Sequence, residues 1–278
     1  MDNLENAVAA HYGARDLLQH IDAGLEAAGA DLSELNLKDL APVDEFHIGG
    51  REATEYAVGK MSLSAADRVL DVGCGLGGAA RYVAAEFGCS VSGVDLTPEY
   101  IEVAKILTAR LGLGDLLRLE TASALAMPFA DKSFDAAYSF HVAMNIRDRA
   151  GLYREIARVM RPDGTLLIYD VMKAGPEDIV FPVPWSETAA TSFLTSPEET
   201  QTLLEEAGFV IDEVEERREF AVQFFRRRLG GGTGDGPPPP PPLSLHLVMG
   251  ETWREKFNNT LENTEAGRIA PVQMIAHR

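Results

Sequence analysis

The chain is predicted to be an α/β protein built on a mostly parallel sheet, and three observations lead there. Segment 68–96, RVLDVGCGLGGAARYVAAEFGCSVSGVDL, reads as an apolar strand, a glycine-rich turn, a helix-compatible stretch and a second strand ending in Asp95. That order is the unit of a parallel sheet. Short apolar runs then keep alternating with helix-length segments through the middle of the chain, a rhythm that calls for crossover helices between parallel strands. The third observation is RPDG at 161–164. Pro162 cannot continue a helix and Gly164 tolerates positive φ, so a helix ends there and a strand follows.

In chain order, 3–10 and 17–28 are predicted as short helices flanking His11, Tyr12 and Gly13. Segment 32–46 has no clean period and is expected to be irregular, and 53–61 is a helix leading into the first strand. After 68–96 come a helix over 99–111, strands over 116–121 and 134–140, a helix over 152–160 and a strand over 165–171. Segment 173–196 carries Pro176, Pro182, Pro184 and Trp185 and is long for a connection, which predicts an ordered lid. A helix over 197–207 has Ser196 as N-cap, Pro197 at its first position and Gly208 as stop. A strand over 209–215, a helix end at the basic cluster 226–228, a helix over 251–266 and a strand over 269–276 complete the chain. Between them, GGGTGDGPPPPPP at 230–242 reads as a tolerated surface insertion, floppy in its glycine half and stiff in its proline half.

Composition narrows the function. With 278 residues, 46% hydrophobic and 24% charged, the chain can bury one large domain. Its formal charge of −18, from 25 basic against 43 acidic residues, opposes nucleic-acid binding. Two cysteines, Cys74 inside the turn and Cys89 before the second strand, give neither a disulfide framework nor a zinc site. No histidine pair sits at ligand spacing on a helix, and no metal is expected. Apolar runs are too short for a membrane span and the first residues are acidic, so a cytoplasmic location is expected. A small molecule is the expected partner, with no nucleic acid and no membrane, and a homodimer is the assembly carried as an expectation.

Ligands of such sheets sit at the carboxyl ends of the strands, and an acid ending the second strand can accept both hydrogen bonds of a ribose diol. Gly73, Gly75 and Gly78 also satisfy the dinucleotide pattern G-x-G-x-x-G, which alone is weak. Asp71, two residues before the first glycine, suits a cationic ammonium better than a pyrophosphate. The ligand that combines a nucleoside with such a cation is S-adenosylmethionine.

VLDVGCGLGG, GVDLTPEYIEVAK, LAMPFADKSFDAAYSFHVAMNI and EIARVMRPDGTLLIYD, in that order, resemble successive motifs of the class I S-adenosylmethionine-dependent methyltransferases. FHIGGREAT, HVAMNI, FPVPWSE and the terminal LHLVMG…RIAPVQ narrow the likeness to the sarcosine/dimethylglycine N-methyltransferase-like branch. The resemblance implies a Rossmann-like sheet, mostly parallel with an antiparallel last strand, helices on both faces, and an N-terminal helical cap. It divides the chain into a cap/lid over 1–52 and a methyltransferase domain over 53–278, with substrate-lid insertions at 173–196 and 229–250. It implies S-adenosylmethionine as cofactor and methyl transfer to a small molecule, with a glycine-type amine expected, an O- or C-methylated natural product as the alternative, and a non-catalytic cofactor-binding protein as the third reading.

The residues expected to carry this follow. Asp71 and the Gly73 and Gly75 backbone take the methionine portion, Asp95 the ribose, and Leu96 packs on the adenine. Relatives often hold the adenine amine with an acid after the third strand; Ser123 stands there, with the Ala124 backbone as substitute. His141, just past the fourth strand, is a cofactor and catalytic candidate, and Tyr12 resembles tyrosines that close over the sulfonium. His47, Asn145, Asp170 and Trp185 are substrate candidates, with Tyr169 and Arg51 behind them.

Overall fold

The alternation in the sequence becomes one seven-stranded sheet in the order β3-β2-β1-β4-β5-β7-β6. The computed structural model describes residues 3–12, 16–230 and 240–278. Its elements are α1 (Asn3–Tyr12), α2 (Leu17–Ala27), α3 (Leu37–Asp44), α4 (Arg51–Val58), β1 (Arg68–Val72), α5 (Gly78–Phe87), β2 (Ser90–Asp95) and α6 (Pro98–Arg110). There follow β3 (Leu117–Thr121), β4 (Phe134–Phe140), α7 (Arg149–Val159), β5 (Met160–Lys173), α8 (Pro197–Glu206) and β6 (Val210–Glu216). Helices α9 (Arg218–Leu229), α10 (His246–Met249) and α11 (Trp253–Glu265) precede β7 (Ile269–His277).

Strands β1 to β5 pair in parallel, and β7 runs antiparallel between β5 and β6. Both faces are covered, so side chains alternate between two cores. Leu70, Val72, Ala137, Leu166 and Ile168 face α7 and α8, meeting Leu152, Tyr153, Ile156 and Leu204. Val69, Tyr138, Leu167 and Tyr169 face the other way, onto Ala53 and Ala57 of α4 and Ala80, Val83 and Ala84 of α5.

Several elements differ from expectation for local reasons. Segment 32–46 holds a regular helix, α3. Asn36 caps it by accepting from the Lys38 amide at 2.9 Å, and Asp39 returns the bond by accepting from the Asn36 amide at 2.9 Å. This reciprocal capping box holds eight residues helical despite Pro42. The helix expected over 53–61 begins at Arg51 and stops at Val58. At RPDG the positive φ falls on Asp163 (64°), not on Gly164. Gly164 is needed for closeness instead: a Cβ there would lie 2.8 Å from the Asp135 carbonyl oxygen. The basic cluster 226–228 does end a helix, but that helix runs back to Arg218. Of 230–242, residues 231–239 lie outside those described. The chain that follows is not surface: Leu243, Leu245, Val248 and Met249 are buried. No helix among the described residues is long and apolar enough to cross a membrane.

One ion pair fastens α3 to the sheet layer. Arg81 of α5 is fully buried and donates through Nη2 to Asp44 Oδ2 at 2.7 Å, with Nη1 reaching the Ala104 carbonyl and Thr108 Oγ1 of α6 at 3.3 Å each. Gly78 makes this crossing possible, because a Cβ there would stand 2.3 Å from the Asp44 carbonyl oxygen. A guanidinium cannot shed its proton, so removing its partner strands a buried charge. Asp44→Ala should therefore lose about 3–5 kcal/mol in urea unfolding, and Asp44→Ala with Arg81→Met should recover part of that. A single-variant loss below about 1 kcal/mol would contradict the account.

Candidate active site

The carboxyl ends of β1, β2, β3 and β4 open into one cavity of about 340 Å³. Its floor is the glycine turn between β1 and α5. The Gly73 and Cys74 amides donate to the Val94 carbonyl at 2.8 and 2.9 Å, folding the turn against β2. Gly73 has φ 80°, and a Cβ on it would lie 2.2 Å from Val142 Cγ2, so no other residue fits beneath the β4 loop.

Two carboxylates stand on either side of this turn. Asp95, ending β2, accepts from the Gly75 amide through Oδ2 and from the Thr97 amide through Oδ1, each at 2.9 Å. Its carboxyl is raised above the usual range by burial, against the pull of those two amides. Asp71 is buried at 2% exposure and accepts from the Tyr138 hydroxyl at 3.1 Å. Burial pushes Asp71 up to about 8, opposed by Tyr138 and reinforced by the charges of Asp95 and Glu45. A site that protonates its own carboxylate for want of a cation is matched to a ligand that brings one.

Glu45 sharpens this acidity. It is buried just past α3, held by the Arg51 Nε and the Thr54 hydroxyl, and lines the same cavity. Neither Glu45 nor Asp44 stands out in the sequence, because their roles come from α3 crossing the glycine turn. Arg51, a candidate for gripping an anionic substrate, is committed to Glu45.

Beyond β4 the cavity changes character. His141 has φ 55°, an uncommon left-handed conformation for a residue other than glycine, with its amide donating to the Tyr169 carbonyl at 2.8 Å. Its Nε2 is buried with no hydrogen-bond partner. Burial, helped by neighbouring His47, drives its pKa well below the ordinary 6.5. His47, stacked on Phe140 at 4.8 Å and 6.0 Å from the His141 ring, is pushed down to about 4 by burial. Both imidazoles are therefore neutral at physiological pH.

The structure brings Asp71, Gly73, Gly75, Asp95, Leu96, Ser123, Ala124, His141, His47, Asn145 and Trp185 to this one cavity. Asn145 acts as a brace, its Nδ2 donating to the Trp185 and Thr191 carbonyls at 2.8 and 3.0 Å. Trp185 lies on the wall at 3% exposure, with Nε1 donating to Ser192 Oγ at 3.0 Å. Asp170 and Tyr169 are placed differently from expectation, and neither lines the cavity. Asp170 points behind the β4 loop, where Oδ1 accepts from the Val142 amide at 2.8 Å and the Ala143 amide at 3.3 Å, which fixes the turn carrying His141. Tyr169 is buried on the opposite face of β5, beside His141 at 5.0 Å. Tyr12 ends α1, and its side chain lies outside those described.

On the far wall, Leu245 and Val248 belong to the 229–250 segment expected as a substrate-lid insertion, whereas Phe224 and Phe225 of α9 and Phe257 of α11 were not found by sequence reasoning. Leu4, Glu5 and Val8 of α1 lie across the front. Among the described residues, no group of three His, Cys, Asp or Glu is placed to hold a metal.

Residues 70–168 match the family model described as a methyltransferase domain. The chain is 35% identical over 142 residues to methyltransferase GfsG of Streptomyces halstedii, covering 51% of each. It is 30% identical over 186 residues to O-methyltransferase resE of Aspergillus sclerotiorum, covering 66% of this chain and 69% of the relative. A glycine/sarcosine/dimethylglycine N-methyltransferase of Actinopolyspora halophila is 30% identical over 131 residues, 47% of this chain and 23% of the relative. The chain thus spans between 23% and 69% of the length of these curated relatives. The fold is shared with the geranyl diphosphate C-methyltransferase of Streptomyces coelicolor A3(2), with a TM-score of 0.72 at 17% identity over 100% of this chain and 98% of that one.

The chain belongs to the S-adenosylmethionine-dependent methyltransferases. Its relatives methylate oxygen, carbon and nitrogen alike.

The residues present fit the family's cofactor: two carboxylates, Asp71 and Asp95, flank the glycine turn in the cavity, where they would meet a cation and a ribose diol. Asp95→Ala should weaken S-adenosylhomocysteine binding by about 1.5–3 kcal/mol in calorimetry, the worth of charge-assisted hydrogen bonds lost. Unchanged affinity would remove Asp95 from the site.

Proposed function

We propose that the protein transfers a methyl group from S-adenosylmethionine to a hydroxyl oxygen of an apolar small molecule. The observation that carries this reading is His141, a neutral imidazole whose buried Nε2 has no partner, in a cavity walled by aromatic and aliphatic side chains. The charges around the cavity support the same choice. Asp44 and Glu45, which line it, are paired with Arg81 and Arg51. Asp71, Asp95 and Asp148 line it as well, and Arg147 is the cationic residue on the lining, its guanidinium 5.0 Å from the centre of the Phe193 ring. A glycine-type acceptor needs a cation for its carboxylate, and Arg147 is the one the lining offers among the described residues. An uncharged acceptor needs none, and the walls of Trp185, Phe224, Phe225 and Phe257 reward its apolar area.

S-adenosylmethionine, when bound, supplies a methyl group on a positively charged sulfur, so little covalent chemistry is left to the protein. Asp71, Asp95 and the glycine turn hold it and set its direction. Asp170 fixes the 141–143 turn and with it the imidazole. His141 Nε2 accepts the hydroxyl proton as the oxygen attacks, and releases it to solvent when product leaves. Apolar walls and α1 exclude water from the acceptor oxygen.

Two measurements test this. Labelled methyl from S-adenosylmethionine should appear in ether products of apolar phenols and alcohols, while glycine, sarcosine and dimethylglycine stay unlabelled. Efficient labelling of sarcosine with no phenol product would overturn the acceptor assignment. His141→Asn, which tolerates the left-handed backbone, should lower kcat by about 10²–10⁴-fold at nearly unchanged S-adenosylhomocysteine affinity.

The pH profile has a definite sign. A histidine held well below 6.5 stays in its base form as pH falls through that value. Turnover should therefore be level from about pH 6 to 8, and a loss with a midpoint near the free-imidazole value would contradict the assignment.

A further inference from the structure

The cofactor has a fixed linear order: amino acid, sulfonium, ribose, base. Asp71 is the last residue but one of β1, Asp95 closes β2, and β3 lies on the far side of β2 from β1. With the methionine portion at Asp71 and the ribose at Asp95, the base falls at the carboxyl end of β3. That corner of the cavity is lined by Leu96, Ser123, Ala124 and Leu125, and by Glu5 arriving from α1. Leu96, Ala124 and Leu125 offer flat apolar contact to the ring faces. The exocyclic amine on the ring edge is a donor that must find an acceptor once buried.

Ser123 is poorly placed to be that acceptor. Its hydroxyl oxygen already accepts from the Leu125 amide at 3.1 Å, its hydrogen goes to Glu5 Oε1, and its carbonyl accepts from the Ala126 amide at 3.1 Å. Glu5 is different. A carboxylate carries about four acceptor positions, and the Ser123 hydroxyl is among the groups that engage and steady it. We propose that Glu5, 118 residues away from Ser123 in sequence, is the side chain that reads the adenine amine.

Because Glu5 belongs to α1, recognition of the base is joined to covering of the site. Leu4 and Val8, one turn apart on the same helix, line the cavity beside it. At the other end of α1, His11 Nε2 lies 3.1 Å from the Pro184 carbonyl of the 173–196 loop. The helix therefore bridges the cofactor end and the acceptor end, and a bound adenine holds it down. This assignment concerns the cofactor alone and is independent of which acceptor is methylated.

The test compares S-adenosylhomocysteine with its 6-deamino analogue, which has hydrogen in place of the amine, by calorimetry on the full chain. The wild-type protein should prefer the adenosyl ligand by roughly 10- to 100-fold, the range for a hydrogen bond to a charged group. In Glu5→Ala that ratio should fall to within about threefold of unity, mainly through loss of adenosyl affinity. General damage from loosening α1 would lower both affinities and leave the ratio intact. A ratio unchanged by the substitution, or a wild-type protein without preference, would overturn the proposal.

Discussion

The site depends on an imbalance of charge that the folded chain does not correct by itself. Asp71 and Asp95 lie at the carboxyl ends of adjoining parallel strands, Glu45 is brought over them by α3, and the two nearby guanidinium groups are already occupied by Asp44 and Glu45. Asp71 is left among negative neighbours without a cation of its own, and burial forces its pKa up to about 8. Keeping such a group costs stability, so its place in the fold makes sense as preparation for a positively charged ligand. The glycine turn follows from the same requirement, because the backbone must pass close beneath both the ligand and Val142.

The other half of the cavity answers to a different requirement. For the proposed O-methyl transfer, the acceptor hydroxyl has to give up its proton and be kept from water, which calls for a neutral base in an apolar enclosure. His141 meets this through its surroundings. The turn that carries it is held by Asp170 from behind, its left-handed backbone is fixed by the Tyr169 carbonyl, and its ring lies among His47, Phe140 and Tyr169. One sheet thus presents an acidic end at β1 to β3 and, past β4, an end walled mainly by apolar and neutral side chains with Arg147 and Asp148 beside them. Under the proposed reading the sulfonium methyl would lie at the boundary between them.

How much of this was legible in the sequence depended on distance along the chain. Asp71, Gly73, Gly75 and Asp95 fall within 25 residues, so strand, turn and strand could be read together. The antiparallel β7 and the helices on both faces followed from resemblance, and Ser196 with Glu199 caps α8 as the local pattern indicates. Helix α3 escaped because Pro42 hid a capping box that needed Asn36 and Asp39 to be read as a pair. Asp170 was a substrate candidate, but it does not line the cavity and instead accepts from the Val142 and Ala143 amides. The contacts that complete the site, Glu5 with Ser123 and Asp44 with Arg81, join residues 118 and 37 positions apart. No local pattern carries information over such spans, and the aromatic wall from α9 and α11 was hidden for the same reason.

If the charge imbalance organises the site, Asp71 is a buried acid in the protein alone and becomes a carboxylate when a cation arrives. A carbon-13 NMR titration of the Asp71 side-chain carboxyl tests it directly, recorded on the protein alone and with S-adenosylhomocysteine. The account predicts a midpoint near 8 in the empty site, moving below neutral when the ligand's ammonium is bound. A midpoint in the empty protein near the ordinary aspartate value of 3.8, unmoved by ligand, would contradict it.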